Sequence, residues 1–287
     1  MKRLFFLPVL LLVALLCLGG CFGTEEPPIG PPGSETDELP TLNGITFGIG
    51  EADATLLWNS NHAILIDAGE DEDAAEILRF MQRKGIKKLD ALIVTHFDKD
   101  HVGGADGILN GVAVDAVYET FAIAEKETTA DVISYRAVLS QKAMQATVVR
   151  ERTELTFGDA KYVIYPPEKN SYNKKESNNS SLAVHLTYGE TAFLFAADAM
   201  EDRINELVRI EGLTCDLLKV PYHGNHLSNL PALLAHTQPK YGIITCSDKN
   251  PEAESKIADL RAANVTVFLT RMGDVEYTSN GLKVTVR

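Results

Sequence analysis

The segment ALIVTHFDKDHVGG, residues 91–104, constrains this chain more than any other stretch. Its apolar run reads as a buried strand that ends at His96. Within six residues the chain then places His96, Asp98, Asp100 and His101, although it has only 7 histidines in all. A strand ending at His96 brings its last side chains to one edge of a sheet. A tight turn through Asp98 and Asp100 can fold back on that edge, and His101-Val102-Gly103-Gly104 can open a helix. Four ligand-type side chains would then converge on one small pocket. Imidazole and carboxylate suit Zn2+ or Mn2+. Two adjacent ions bridged by a carboxylate can activate water and clamp a leaving oxygen. The plainer alternative is a solvated loop in which Asp100 caps a helix. It leaves two histidines behind a buried strand unexplained.

The chain has 287 residues, 45% of them hydrophobic, enough for one large domain with a real core. Its formal net charge of −13 argues against a broad basic face for nucleic acid, so a polyanion would have to be held locally. At the start, Lys2 and Arg3 precede an apolar run from Leu4 to Leu16, and Leu18-Gly19-Gly20-Cys21 follows. Charge, apolar run, small residues and cysteine in that order resemble the lipobox of bacterial lipoproteins. The expectation is a signal peptide over residues 1–20, lipidation at Cys21, and export. The anchor would hold the protein on the outside of the cytoplasmic membrane or on the outer membrane. An ordinary secretory signal and an uncleaved anchor are the alternatives. Residues 21–40 would carry the lipidated cysteine and a disordered tether rich in Pro, Gly and acid. The domain proper would fill 41–287. Cys215 and Cys246 border strand-like runs at opposite ends, which predicts two free thiols rather than a bridge.

Beyond residue 40 the pattern is mixed. GITFGIG, ATLLW and HAILIDAG read as short strands, and EDAAEILRFMQRKG as a helix closed by Gly85. After the buried strand come DAVYE, a helix near 127–143, QATVV, and a polar loop over 166–181 that carries Lys174 and Lys175. LAVHLTYG and TAFLFAAD form a hairpin through Gly189-Glu190. MEDRINELVRIEG reads as a helix and CDLLKVPYHG as a strand. Helices near 229–236 and 251–263 flank YGIITC, and VTVFLT, DVEYTS and LKVTV close the chain. Two β-rich halves, each followed by β/α alternation, suggest an α/β layered fold with two sheets flanked by helices.

The HFDKDH cluster resembles the metal-binding signature of the metallo-β-lactamase superfamily, usually His-x-His-x-Asp-His. With Asp98 as its second position and HVGG behind it, it is similar to the hydrolase domain of ComEC/Rec2-like competence (DNA-uptake) proteins. Further segments match in order: GIGEADATLL, ILIDAG, ESNNSSLAVHLTYGETAFLFAADA, DLLKVPYHG and VEYTSNGLKVTV. The resemblance implies a four-layer αββα sandwich of α/β (α+β) class. It implies that His96 and Asp98 bind one ion, that Asp100, His101 and His223 bind another, and that Asp198 bridges them. Asp67 would orient a metal-binding histidine. Asp100 would also act as general base.

The chain departs from the pattern in several places. Ala197 stands where glycine usually precedes the bridging aspartate. Gly48-Ile49-Gly50-Glu51-Ala52-Asp53 replaces the usual Gly-Gln-Gly-Asp. Asn178 and Asn179 occupy the loop where most of the superfamily supplies a further histidine, so one metal site is a strong ligand short. One or two ions of Zn2+ or Mn2+ are therefore expected. His226 can contact a phosphate or leaving group as a catalytic residue, or be a plain loop histidine. His185 reads as a strand-surface histidine, and His62 and His236 as structural ones.

The reaction implied is phosphodiester hydrolysis, on DNA or a nucleotide, by metal-activated water. The rivals are a metallo-hydrolase of a small lactone, thioester or lactam, and a non-catalytic metal-binding lipoprotein. No protein partner is deducible.

Overall fold

The computed structural model describes residues 39–121, 126–172 and 178–287. The expected signal peptide, Cys21, nearly all of the expected tether, Lys174 and Lys175 lie outside the described residues. Those described belong to one structural unit. Among them, no helix is long and apolar enough to cross a membrane.

The strands are β1 (Leu42–Thr46), β2 (Thr55–Trp58), β3 (Ala63–Ile66), β4 (Lys88–Val94), β5 (Ala113–Glu119), β6 (Thr147–Val148), β7 (Thr153–Phe157), β8 (Ala160–Tyr165), β9 (Ala183–Tyr188), β10 (Thr191–Phe195), β11 (Leu217–Lys219), β12 (Tyr241–Ile244), β13 (Thr266–Leu269), β14 (Val275–Ser279) and β15 (Val284–Val286). The helices are α1 (Ala74–Lys84), α2 (Lys99–Val102), α3 (Ala105–Gly111), α4 (Ala130–Gln141), α5 (Glu201–Leu207), α6 (Leu230–Thr237) and α7 (Glu254–Ala262). One sheet runs β15-β14-β1-β2-β3-β4-β5-β6 and the other β13-β12-β11-β10-β9-β8-β7. Each is antiparallel in one half and parallel in the other; the parallel pairs run from β3 to β6 and from β10 to β13.

Strand alternation explains the layers. In β3, Ile64 and Ile66 face the opposing sheet, while Ala63 and Leu65 face α1, α3 and α4. In β10, Phe193 and Phe195 enter the same inter-sheet core, and Leu194 faces the α5–α7 side. Three apolar layers thus separate helices, sheet, sheet and helices, which is the four-layer αββα sandwich. Helix α1 buries Ala74, Ile77, Phe80 and Met81 at helical spacing and ends at Gly85 in the left-handed region (φ 74°).

Two expectations need revision, and one element was not foreseen. TELTFGDAKYVIY forms the β7–β8 hairpin, which the sequence reading passed over. The helix expected over 200–212 stops at Leu207. His185 is not on the surface: it is 7% exposed, and its Nε2 donates to the Thr214 carbonyl at 2.8 Å. Cys215 and Cys246 are buried free thiols.

Candidate metal centre

Every candidate ligand lies at the carboxyl ends of parallel strands, where the helices that follow leave a crevice. His96 follows β4, Asp98 sits at the N-cap of α2, and Asp100 and His101 lie in its single turn. The motif loop is knitted to its neighbours by backbone bonds: Ala68 N–H to the His101 carbonyl (2.9 Å) and Asp53 N–H to the Asp100 carbonyl (3.0 Å). The glycine pair has a steric reason. A Cβ on Gly104 would lie 2.2 Å from the Ala68 carbonyl oxygen, and one on Gly103 2.5 Å from that of Lys99.

Three imidazoles are oriented by one device. His101 Nδ1 lies 2.8 Å from Asp67 Oδ2 and donates to that carboxylate. His96 Nδ1 lies 3.1 Å from Thr95 Oγ1, whose own proton goes to Asp67 Oδ2 at 2.7 Å. His223 Nδ1 lies 3.0 Å from Thr245 Oγ1, whose proton goes to Asp53 Oδ1 at 2.5 Å. Each hydroxyl has spent its proton, so it accepts from the ring. The network therefore assigns a proton to Nδ1 in all three rings and turns Nε2 inward. Nε2 of His96, His101 and His223, with Asp198 Oδ1, are buried and have no hydrogen-bond partner among the described residues.

These atoms fit a divalent cation. Asp100, His101, Asp198 and His223 each present a ligand atom, all within 4.8 Å of one another. Nε2 of His101 is 3.4 Å from Asp198 Oδ1; Nε2 of His223 is 3.0 Å from Asp198 Oδ2 and 3.3 Å from Asp100 Oδ2. Electrostatics point the same way. Burial disfavours charge on His101, but Asp198, Asp100 and Asp67 outweigh it and hold the ring well above its usual value. Burial likewise opposes charge on His223, yet Asp198 and Asp100 raise it to about 9. Asp198 is held well below the carboxylate range by His223 and His101 against the cost of burial. Two carboxylates converging on two imidazoles draw in positive charge, which a divalent ion supplies.

The other half of the expected ligand set is sparser. His96 Nε2 lies 4.0 Å from Asp98 Oδ2, and Asp98 Oδ1 is 2.7 Å from Lys126 Nζ. Asn178 Nδ2 donates to Asp198 Oδ2 at 3.2 Å. Asn179 is turned away: its Oδ1 accepts the Arg203 N–H at 3.0 Å. The His226 side chain is exposed, and no hydrogen bond joins it to the cluster among the described residues. His62 pairs with Asp90, and His236 donates to the Ile210 carbonyl.

The sequence reading missed Thr95, Thr245, Lys219 and the supporting role of Asp53. Lys219 is 2% exposed, its ammonium paired with Asp53 and 3.8 Å from Asp198 Oδ1. Burial opposes its charge, but Asp53 and Asp198 keep its pKa above the usual lysine value. A lysine inside the apolar run DLLKV was the available signal, because a buried charge requires a partner. The turns that hold the site are bent into the left-handed region at Asp67 (φ 58°), Ala197 (φ 48°), Tyr222 (φ 52°) and His223 (φ 52°). Asp100 also borders a cleft of about 320 Å³ lined by Glu51, Glu70, Glu72, Asp73, Lys99 and Lys249 among others.

Two stacked mixed sheets under outer helices, with histidines and aspartates gathered at their parallel strand ends, define an αββα metallo-hydrolase architecture. The chain belongs to the Metallo-beta-lactamase superfamily, whose family model matches residues 48–247. It is similar to ComE operon protein 3 of Bacillus subtilis, 27% identical over 175 residues, covering 61% of this chain and 22% of that protein. It is also similar to Recombination protein 2 of Haemophilus influenzae, 26% identical over 228 residues, covering 74% of this chain and 25% of that protein. The chain therefore spans about a quarter of the length of these relatives. The crystal structure of the metallo-beta-lactamase fold protein YhfI from Bacillus subtilis shares the fold at a TM-score of 0.57 and 13% identity, covering 86% of this chain and all of that one.

Proposed function

We propose that this metal-dependent hydrolase cleaves phosphodiesters, with one divalent ion, Zn2+ or Mn2+, held by Asp100, His101, Asp198 and His223. The observation that carries the reading is the convergence of those four side chains, with Nδ1 of both histidines held from behind and Nε2 turned to the centre. The HFDKDH version of the motif and the similarity to the two competence-related and recombination proteins support the substrate class. A bound divalent ion would supply Lewis acidity at a phosphoryl oxygen and acidify water. Asp198 and the two imidazoles hold it. Asp100, whose side chain is 30% exposed and borders the cleft, takes the proton of the attacking water. Lys126, at the rim beside Asp98, is placed to meet a non-bridging phosphate oxygen. His226 is the candidate for the leaving group. His96 and Asp98 make a second, weaker site, because Lys126 already engages the Asp98 carboxylate.

The cleft favours a second reading. Glu51, Glu70, Glu72, Asp73 and Asp100 outnumber Lys99 and Lys249 around it. That charge balance suits a small neutral lactone, thioester or lactam better than a long polyanion. The test is metal analysis of the purified chain, then turnover of bis-p-nitrophenyl phosphate and linear DNA with Mn2+ or Zn2+, against His101→Ala and Asp198→Asn. Metal-dependent cleavage lost in both variants supports the phosphodiester reading. Bound metal with turnover only of small esters favours the second. We also propose that Cys21 anchors the protein to a membrane from outside the cytoplasm; mass spectrometry of the membrane-extracted N-terminal peptide would show an unmodified Cys21 if this is wrong.

A further inference from the structure

We propose that Lys219 is a positioning residue for the metal centre: a buried cation that ties together the strand-end turns presenting the ligands. The proposal rests on the reading of Asp198 and His223 as metal ligands and not on the substrate. Lys219 ends β11, beside β10, and its ammonium has three partners. It pairs with Asp53, donates to the Ala197 carbonyl at 3.2 Å, and lies 3.8 Å from Asp198 Oδ1. The same Ala197 carbonyl accepts the Tyr222 N–H at 3.2 Å, so one oxygen joins the turn that carries Asp198 to the turn that carries His223. Asp53 extends the connection, because it holds Thr245, which holds the His223 ring.

Both turns are strained. Ala197, Tyr222 and His223 all have φ between 48° and 52°, a region in which a side chain is disfavoured and which persists only where surroundings enforce it. Lys219 supplies that enforcement with a compact ammonium that donates to the Ala197 carbonyl, pairs with Asp53 and holds Asp198 at ion-pair range, an arrangement a planar guanidinium does not match. Its charge also offsets the mutual repulsion of Asp53 and Asp198. The cavity beside it, lined by Asp53, Thr55, Asp67 and Ala197 among others, measures about 10 Å³. That is barely room for one water, so in the intact protein the ammonium is met by protein groups rather than by solvent.

The experiment is titration of the full chain with Co2+, read by calorimetry and by the visible absorption of the bound ion. Lys219→Met is expected to weaken Co2+ binding about 10–100-fold and to change the absorption band, the scale seen when residues supporting metal ligands are removed. Adding Ala197→Gly to Lys219→Met is expected to recover a large part of the affinity, because glycine adopts the turn without enforcement. A residue that merely supports the core would show no such rescue. If Lys219→Met does not fold, Lys219→Gln, which keeps the length and a donor but not the charge, is expected to show weakened binding in a folded chain. Wild-type affinity and spectrum in a folded Lys219 variant, or no recovery with Ala197→Gly, would overturn the proposal. A wild-type chain that binds no Co2+ would overturn the metal-centre reading beneath it.

Discussion

Single hydroxyl groups decide which nitrogen of His96 and of His223 is available. Thr245 passes its proton to Asp53 and receives that of His223, so a near-isosteric Thr245→Val change removes tautomer control with little loss of volume. We expect Thr245→Val to weaken metal binding about 10-fold while leaving the fold intact, measured by Co2+ titration with circular dichroism as the control. Unchanged affinity would show that packing alone orients His223. These threonines were hard to see in the sequence. Thr95 and Thr245 each follow an apolar run, where threonine simply reads as a strand-former. Asp67 was legible because a motif carried it. Asp53 was not, because it lies in a segment where the chain departs from the family pattern.

At the scale of elements, the helix–strand order was readable wherever periodicity was strong, as in α1, β4 and the β9–β10 hairpin. It failed where tertiary contacts set the limits. Helix α5 stops at Leu207 although its sequence continues a helical pattern, and it is pinned by a buried arginine. Arg203, 1% exposed, donates to the carbonyls of Ser181 and Tyr165 and pairs with Glu206 at 2.9 Å. It thus fastens α5 to the end of β8 and to the loop leading into β9. Removing one partner of a buried pair typically costs about 3–5 kcal/mol. Arg203→Met should therefore lower the thermal midpoint by about 6–20 °C for a domain of this size. A shift below about 2 °C would mean that Glu206 finds another partner. The β7–β8 hairpin shows the opposite failure: Gly158-Asp159 between two alternating runs is an ordinary turn signal, and the reading passed over it.

For the whole molecule, the proposed ligands come from both sheets: His96 and His101 follow β4, whereas Asp198 and His223 follow β10 and β11. An ion bound there would link the two layers. Chelation should lower stability, by about 2.7 kcal/mol relative to a metal concentration 100 times Kd. Urea unfolding with and without EDTA measures this, and coincident curves would argue against a cation at this centre. Acid should also act at groups outside the metal site, seen separately in EDTA-treated protein. Burial pushes the Asp90 carboxyl up, but the Ala63 N–H, His62 and Lys88 outweigh it. Burial also opposes charge on Glu252, and Arg271 outweighs it. Both groups titrate lower in the fold than in the unfolded chain. Their stabilisation is present above about pH 4.5 and is lost as pH falls through the lowered values. Denaturant midpoints at pH 5 and pH 3 test this, and Asp90→Ala should flatten the dependence.

The strand order of the first sheet has a consequence for biosynthesis. β1 lies between β2 and β14, and β14 is reached only after every other strand except β15 has been made. A growing chain thus carries β1 with one open edge until Val275–Ser279 arrives to close it. Pairing across such a sequence separation is slow and comes late. The edge from which the Asp53 loop departs is thus completed only at the end of synthesis.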